Sequence, residues 1–184
     1  MSRFVLLCLL PLVSAPVFSA PLPKGLLEQD GRPAPTLRLA TMEGKTTDIA
    51  ALRGRWVLVH FWASWCVPCR REMPTLQGLS TVTPALPIRL ILVNTAETDE
   101  EVFAFLNIIA PNLETLMDRD GQVTERWQPR GLPASFLVDP EGRIRYLALG
   151  GRDWLSPDYL LFLRSLGAPV VPVEPSRGDA DPVY

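Results

Sequence analysis

Long apolar runs in the middle of the chain predict buried β-strands. Trp56–Trp62 and residues 88–94 are mainly apolar, as is typical of central strands covered on both faces. Ala134–Val138 and Ile144–Leu149 are two shorter apolar segments, separated by Asp-Pro-Glu-Gly at 139–142. That sequence favours a tight turn. We therefore expect four strands in this part of the chain, the last two forming a hairpin.

Helices are predicted between these strands, where apolar residues recur at helical spacing. We expect helices over residues 67–79, after Thr98, within 121–127, and from Ser156 to Gly167. The predicted apolar side of the second helix comprises Val102, Phe103, Phe105, Leu106 and Ile109. Alternating strands and helices imply parallel pairing, whereas the tight turn implies antiparallel pairing. The pattern therefore predicts an α/β fold with a mixed central sheet and helices on both faces.

The two ends of the chain differ from the segment between them. Residues 1–19 have Arg3, an apolar stretch and small residues before a cut after Ser19, which predicts a signal peptide. The alternative is an uncleaved N-terminal anchor, which the two prolines within this segment argue against. We assign 20–34 to a Pro-rich leader, 35–167 to the folded domain and 168–184 to a disordered tail.

The net charge is only −2, and the chain has no long run of Lys or Arg. A protein that holds nucleic acid through its phosphates needs a basic surface. The composition therefore argues against a nucleic-acid partner.

Cys66 and Cys69 lie directly after the Trp56–Trp62 run, where a strand is predicted to lead into a helix. Residues three apart share one helix face, with Cβ atoms about 5–6 Å apart. A modest adjustment reaches the roughly 3.5–4.5 Å that a disulfide needs. The positive end of the helix also favours a thiolate at the first cysteine. The spacing therefore predicts a redox-active pair.

Other uses of the two cysteines are less consistent with the sequence. A structural zinc ion usually takes four ligands, but apart from Cys8 in the predicted signal peptide the chain has only these cysteines and His60. A purely structural disulfide of this spacing would close too small a loop to restrain the unfolded chain. We therefore predict no cofactor and no resident metal.

Three segments, in the right order, resemble exported thioredoxin-fold proteins of the TlpA/ResA type. Residues 61–74 resemble their active-site segment, and 131–139 resemble their cis-proline segment. Residues 93–97 are similar to the strand end that carries an active-site glutamate in ResA-like members. The resemblance spans about residues 33–167 and implies a thioredoxin fold.

The resemblance also implies roles for individual residues. Cys66 is expected to attack the substrate and Cys69 to resolve the mixed disulfide. Pro133 is expected to follow a cis bond from Leu132 and to offer backbone hydrogen bonds to the substrate chain; the alternative is an ordinary trans turn. Trp65 and Leu132 are expected to contact the substrate.

Glu97 and His60 each keep two interpretations. Glu97 could relay the Cys69 proton, or it could simply stabilise the N-terminus of the following helix. His60 stands where thioredoxins have a buried aspartate and where TlpA/ResA-like proteins often have asparagine. It could tune Cys69, although a hydrogen-bonded core residue is the favoured interpretation. Arg70, Arg71 and Glu72 are predicted to form a solvated helix face.

The function implied by the resemblance is an exported thiol–disulfide oxidoreductase that reduces disulfides of selected periplasmic proteins. Targets in cytochrome c maturation or copper-site assembly are expected, with a membrane electron donor of the DsbD/CcdA type. The alternatives are an oxidant or isomerase on the same fold and a Cu(I)-binding metallochaperone. Val67-Pro68 lacks the histidine that strong oxidants often carry between their cysteines, which favours a reductant.

Overall fold

A six-stranded mixed β-sheet forms the centre of the structure, a computed structural model that describes residues 21–167. The predicted signal peptide and the predicted tail lie outside the described residues. The strands are β1 (Leu26–Glu28), β2 (Arg38–Ala40), β3 (Thr46–Asp48), β4 (Trp56–Trp62), β5 (Ile88–Thr95), β6 (Leu116–Asp118), β7 (Ala134–Val138) and β8 (Ile144–Leu149). The α-helices are α1 (Val67–Val82), α2 (Asp99–Ile109), α3 (Gln122–Trp127) and α4 (Pro157–Ser165).

The sheet has the order β1-β8-β7-β4-β5-β6, while β2 and β3 form a separate hairpin. β4 and β5 pair in parallel, with Trp62 opposite Asn94, and β6 extends this parallel part. β7 pairs antiparallel with both β4 and β8. The predicted mixed sheet is therefore confirmed, and β4 lies at the junction between its parallel and antiparallel parts.

Alternation along β4 divides the core into two layers. Leu58 and Trp62 face one side, where α1, α2 and α4 pack. Val57, Val59 and Phe61 face the other side, against α3 and the β2–β3 hairpin. Successive side chains of a strand point to opposite faces, so an unbroken apolar strand supports both layers at once. Helices cover both faces, as the sequence predicts.

Three aromatic side chains fill the second layer. The ring of Trp127, on α3, lies 5.5 Å from that of Phe61 and 5.2 Å from that of Phe136, measured between centroids. Phe61 and Phe136 meet edge to face at 5.8 Å. Such tilted and edge-on contacts are favourable beyond the burial of apolar area. The short helix α3 therefore packs on the sheet through Trp127, together with the buried Val123.

The structure differs from the prediction at three short features. β1 lies within the predicted Pro-rich leader, yet it pairs with β8 through Leu26 and Ala148 and belongs to the sheet. β6 was likewise not predicted, because three residues are too few to show a period. Phe103 was wrongly placed on the apolar side of α2. Its side chain is 62% exposed, since it lies beside rather than within the buried row of Val102, Phe105 and Leu106.

None of the helices within residues 21–167 is both long enough and apolar enough to cross a membrane.

We expect the Trp127→Ala variant to lose about 3–5 kcal/mol of unfolding free energy, because a fully buried aromatic ring leaves a cavity. Urea denaturation followed by circular dichroism measures this loss. The matched control is Ile108→Ala on α2, whose side chain is 78% exposed and whose loss should stay within about 0.5 kcal/mol. Equal losses in the two variants would contradict the assigned core.

Candidate active site

Cys66 and Cys69 form a disulfide at the junction between β4 and α1, with their Cα atoms 5.2 Å apart. Cys66 is the N-cap of α1, and its Sγ accepts a hydrogen bond from the backbone N–H of Cys69 at 3.3 Å. Helix N-termini carry unpaired N–H groups and partial positive charge. When the disulfide opens, the same N–H groups are placed to stabilise a thiolate on Cys66.

The two sulfurs differ in their access to solvent. Cys69 is fully buried, whereas Cys66 keeps 5% exposure and lies between two exposed apolar side chains. Those neighbours are Trp65, 67% exposed, and Val67, 57% exposed. Cys66 is therefore the more accessible of the two cysteines to an incoming sulfur. The order of attack stays a prediction.

Pro133 lies beside this junction, and the Leu132–Pro133 peptide bond is cis, as predicted. β7 pairs with β4 so that Ala134 faces Phe61, which places Pro133 next to the end of β4. The Pro133 carbonyl accepts a hydrogen bond from Gly150 at 2.8 Å. A cleft of about 110 Å³ opens here, and it is lined by Arg130, Gly131, Leu132, Pro133, Leu149 and Gly150.

The loop after β8 closes the other side of the cysteine pair. A Cβ atom on Gly151 would lie only 3.2 Å from the carbonyl oxygen of Pro68, between the cysteines. A residue with a side chain would push this loop away from α1. The cysteine pair, the cis-proline and this loop therefore meet in one place.

Glu97 follows β5 and is tied to the loop that precedes Cys66. Its carboxylate accepts hydrogen bonds from the backbone N–H of Ser64 at 2.7 Å, from the Ser64 hydroxyl, and from Asn94 Nδ2 at 2.6 Å. The side chain is buried, with 7% exposure. Glu97 thus lies near the cysteine pair, as the resemblance implies, and it contacts the segment through Ser64. Its predicted role as a proton relay stays a prediction.

Glu72 corrects the sequence interpretation, which placed it on a solvated helix face with Arg70 and Arg71. The two arginines are exposed, but Glu72 is only 4% exposed. It lies three residues after the buried Cys69 and therefore on the same face of α1. A position three residues after the buried Cys69 is the sequence signal that would have identified Glu72 as a buried residue.

The buried carboxylate of Glu72 faces the only histidine of the chain. Glu72 Oε1 lies 3.2 Å from His60 Nε2, and His60 Nδ1 lies 2.8 Å from Ser135 Oγ. Glu72 Oε2 accepts hydrogen bonds from the backbone N–H of Arg152 at 2.9 Å and from the Trp154 indole at 3.3 Å. His60 is therefore a buried, hydrogen-bonded residue, and its partner is a titratable one.

The charge of Glu72 acts on a neighbouring tyrosine. Burial raises the pKa of Tyr159, on α4, above its usual range; Arg152 opposes this shift, and the negative charge of Glu72 adds to it. Within residues 21–167, no group of three or more His, Cys, Asp or Glu side chains is arranged to hold a metal ion. The chemistry that the site offers is exchange between a dithiol and a disulfide.

We expect Glu97→Ala to lower the unfolding free energy by about 2 kcal/mol, because the Ser64 and Asn94 donors lose a charged acceptor. Urea denaturation of the oxidised protein measures the loss. Glu43→Ala, in an exposed turn, is the matched control and should change stability by less than about 0.5 kcal/mol. The assigned hydrogen bonds would be contradicted if both variants were equally stable.

Comparison with known proteins gives the same picture. The model of the AhpC/TSA family matches residues 31–147. The thiol–disulfide oxidoreductase ResA of Bacillus subtilis is 29% identical over 121 residues, which are 66% of this chain and 68% of the relative. ResA of Geobacillus thermodenitrificans is 30% identical over 120 residues, covering 65% of this chain and 69% of the relative.

A solved structure from Chlorobium tepidum, assigned as thiol:disulfide interchange protein DsbE, superposes with a TM-score of 0.65 and 26% identity. The match covers 77% of this chain and 100% of that one. The chain therefore belongs to the AhpC/TSA family and is a ResA-like thiol–disulfide oxidoreductase with the thioredoxin fold.

Proposed function

We propose that the protein reduces disulfides of selected exported proteins, with Cys66 as the attacking residue and Cys69 as the resolving residue. The main support for this proposal is that Cys66 is the N-cap of α1 and that its Sγ accepts a hydrogen bond from a backbone N–H of that helix. A thiolate in this position is stabilised before any substrate arrives. The partial access of Cys66 and the full burial of Cys69 support the division of roles.

The proposed reaction starts from the reduced pair. The Cys66 thiolate attacks one sulfur of a substrate disulfide, so a mixed disulfide forms and the other substrate sulfur leaves as a thiolate. The Cys69 thiol then gives up its proton and attacks Cys66 Sγ. The substrate leaves with both sulfurs reduced, and the chain is left with the Cys66–Cys69 disulfide seen in the structure.

The substrate chain is proposed to bind across Trp65 and the cis-proline segment. Trp65 and Val67 offer exposed apolar area next to Cys66. Leu132 and Pro133 line the cleft on the other side. Backbone groups beside a cis-proline can pair with an extended peptide, which would hold a disulfide over Cys66 with little dependence on side-chain identity.

Glu97 is proposed to act mainly by position. Its hydrogen bonds to Ser64 connect the end of β5 to the loop two residues before Cys66. A fixed loop keeps the sulfur over the end of α1. A proton passed from Cys69 to Glu97, as the resemblance suggests, would be a second role of the same carboxylate.

A reductant is proposed rather than an oxidant because of the residues between the cysteines. The side chains of Val67 and Pro68 bring no charge and no hydrogen-bond donor that would stabilise the thiolate further. The more strongly the reduced form is stabilised, the more oxidising the pair becomes. The single N-cap contact therefore supports a moderate, reducing pair.

The cellular setting is proposed from the resemblance and from the N-terminal signal in the sequence. We infer a periplasmic protein, anchored at its N-terminus if the signal stays uncleaved. Proteins of cytochrome c maturation or of copper-site assembly are the proposed targets. A periplasm is kept oxidising, so a reductant there needs electrons from a membrane donor, proposed to be of the DsbD/CcdA type.

We predict that the Cys66–Cys69 pair equilibrates with a glutathione buffer at a potential near or below about −220 mV, as expected of a reductant. The reduced fraction is measured by alkylating free thiols and separating the products on a gel. A variant with both Cys66→Ser and Cys69→Ser is the control and should show no change across the titration. A potential near about −120 mV would contradict the proposal and indicate an oxidant.

A further inference from the structure

The buried pair of His60 and Glu72 is incompletely hydrogen-bonded. His60 Nε2 and Glu72 Oε1 lie 3.2 Å apart, and neither atom has another hydrogen-bond partner in the described part of the chain. Their side chains are 0% and 3% exposed. Buried polar atoms without partners are costly, and a proton on Nε2 would be a donor aimed at the free carboxylate oxygen. The pair is thus a buried place where one additional proton can be held.

This pair lies close behind the redox-active cysteines. Glu72 is one helical turn beyond Cys69 on the buried face of α1. His60 comes from β4, between Leu58 and Trp62, which face the same layer as Cys69. Cys66, Cys69 and Trp62 belong to one buried apolar cluster on this side of the sheet, and apolar surroundings screen charge poorly compared with water. A charge that appears on the cysteines will therefore be felt at His60.

The charged and titratable groups that face the pair are few. From α1 they are Cys69 and Glu72 itself; from α4, the Tyr159 phenol. Arg152, after β8, gives its backbone N–H to Glu72, while its guanidinium donates to backbone carbonyls, including Gly25 and Leu149. β7 contributes only the Ser135 hydroxyl, and the residue beside His60 on β5 is the apolar Leu92.

We propose that the His60–Glu72 pair takes up one proton when the Cys66–Cys69 disulfide is reduced. With the disulfide closed, Glu72 Oε2 already has two donors, and Oε1 faces only the His60 ring, whose neutral form with its proton on Nε2 satisfies that oxygen. Reduction adds a negative thiolate at Cys66. Two negative charges in one apolar region favour binding of a proton, and the His60 imidazole is the basic group in contact with Glu72.

The electrons and protons of this step balance as described next. The step itself rests on the proposed reductase function. Two glutathione thiols supply two electrons and two protons as they become glutathione disulfide. One proton forms the Cys69 thiol. The second, which the Cys66 thiolate does not keep, goes to His60 rather than to water. His60 is therefore a positioning residue, because the proton that it holds offsets the negative charge of the Cys66 thiolate.

Nuclear magnetic resonance tests the proposal directly, because the untagged chain has a single histidine. The ring ¹³C and ¹⁵N shifts of His60 report whether one or both nitrogens carry a proton. At pH 7 we expect a neutral ring in the oxidised protein and a doubly protonated ring after reduction with dithiothreitol. The proposal is overturned if the ring has the same protonation state in both forms.

The pH dependence of the glutathione equilibrium gives a second test. Between pH 6.5 and 7.5, Cys66 is expected to be a thiolate and glutathione a thiol. If the protein keeps both protons that glutathione supplies, the equilibrium constant for its reduction by glutathione should be nearly constant over this range. His60→Asn, which cannot take the proton, should show an increase of about tenfold towards reduced protein over that unit, because one proton is released.

Ser135→Ala is the matched control for this second test. It removes the hydrogen bond to His60 Nδ1 but leaves both proton-holding groups, so its equilibrium should stay as flat as that of the wild type. A tenfold slope in the wild type would refute the proposal while leaving the reductase function intact. Failure of the wild type to exchange with glutathione at all would instead refute the proposed function.

Discussion

The hydrogen bond from the Cys69 N–H to Cys66 Sγ is the contact on which the site depends. It exists because four residues separate the end of the seven-residue buried strand β4 from the start of α1, and the N-cap position falls on a cysteine. A helix satisfies its own backbone except at its ends, where free N–H groups accept a negative partner. The fold thereby supplies a stabilised position for one thiolate.

Two buried carboxylates support this contact from different sides. Glu97 holds the loop before Cys66 against the end of β5, through Ser64. Glu72 holds the loop after β8 against α1, through the backbone N–H of Arg152. That second loop contains Gly151, which packs on Pro68 between the cysteines. The site is therefore assembled from four separate chain segments, each fixed by a hydrogen bond to a carboxylate or by sheet pairing.

Strong local patterns were sufficient for the main elements and for the cysteine pair. The boundaries of β4, β7 and β8 follow from apolar runs that end at turn residues, and the cis bond at Pro133 follows from the family resemblance. The short strand β1 was missed because its pairing with β8 depends on a partner more than a hundred residues away along the chain. No local period reports such a contact.

Glu72 shows that local sequence patterns are limited in the same way within the site. A glutamate beside two arginines is typical of a solvated helix face. Its spacing from Cys69 indicates the buried face of α1, but only the three-dimensional structure shows that it meets His60 and Trp154 there. His60 was recognised as unusual, but its partner comes from a different element. Buried polar pairs of this kind are set by tertiary packing, which composition and spacing describe poorly.

The most direct test of the central claim is a thiolate titration of the Cys69→Ser variant, in which Cys66 is free. Thiolate absorbance at 240 nm is followed against pH, and the same chain with Cys66→Ser as well supplies the baseline. The account predicts an apparent pKa for Cys66 below about 7.5, as for other cysteines at helix N-termini. A value near about 8.5, that of a free cysteine, would contradict it.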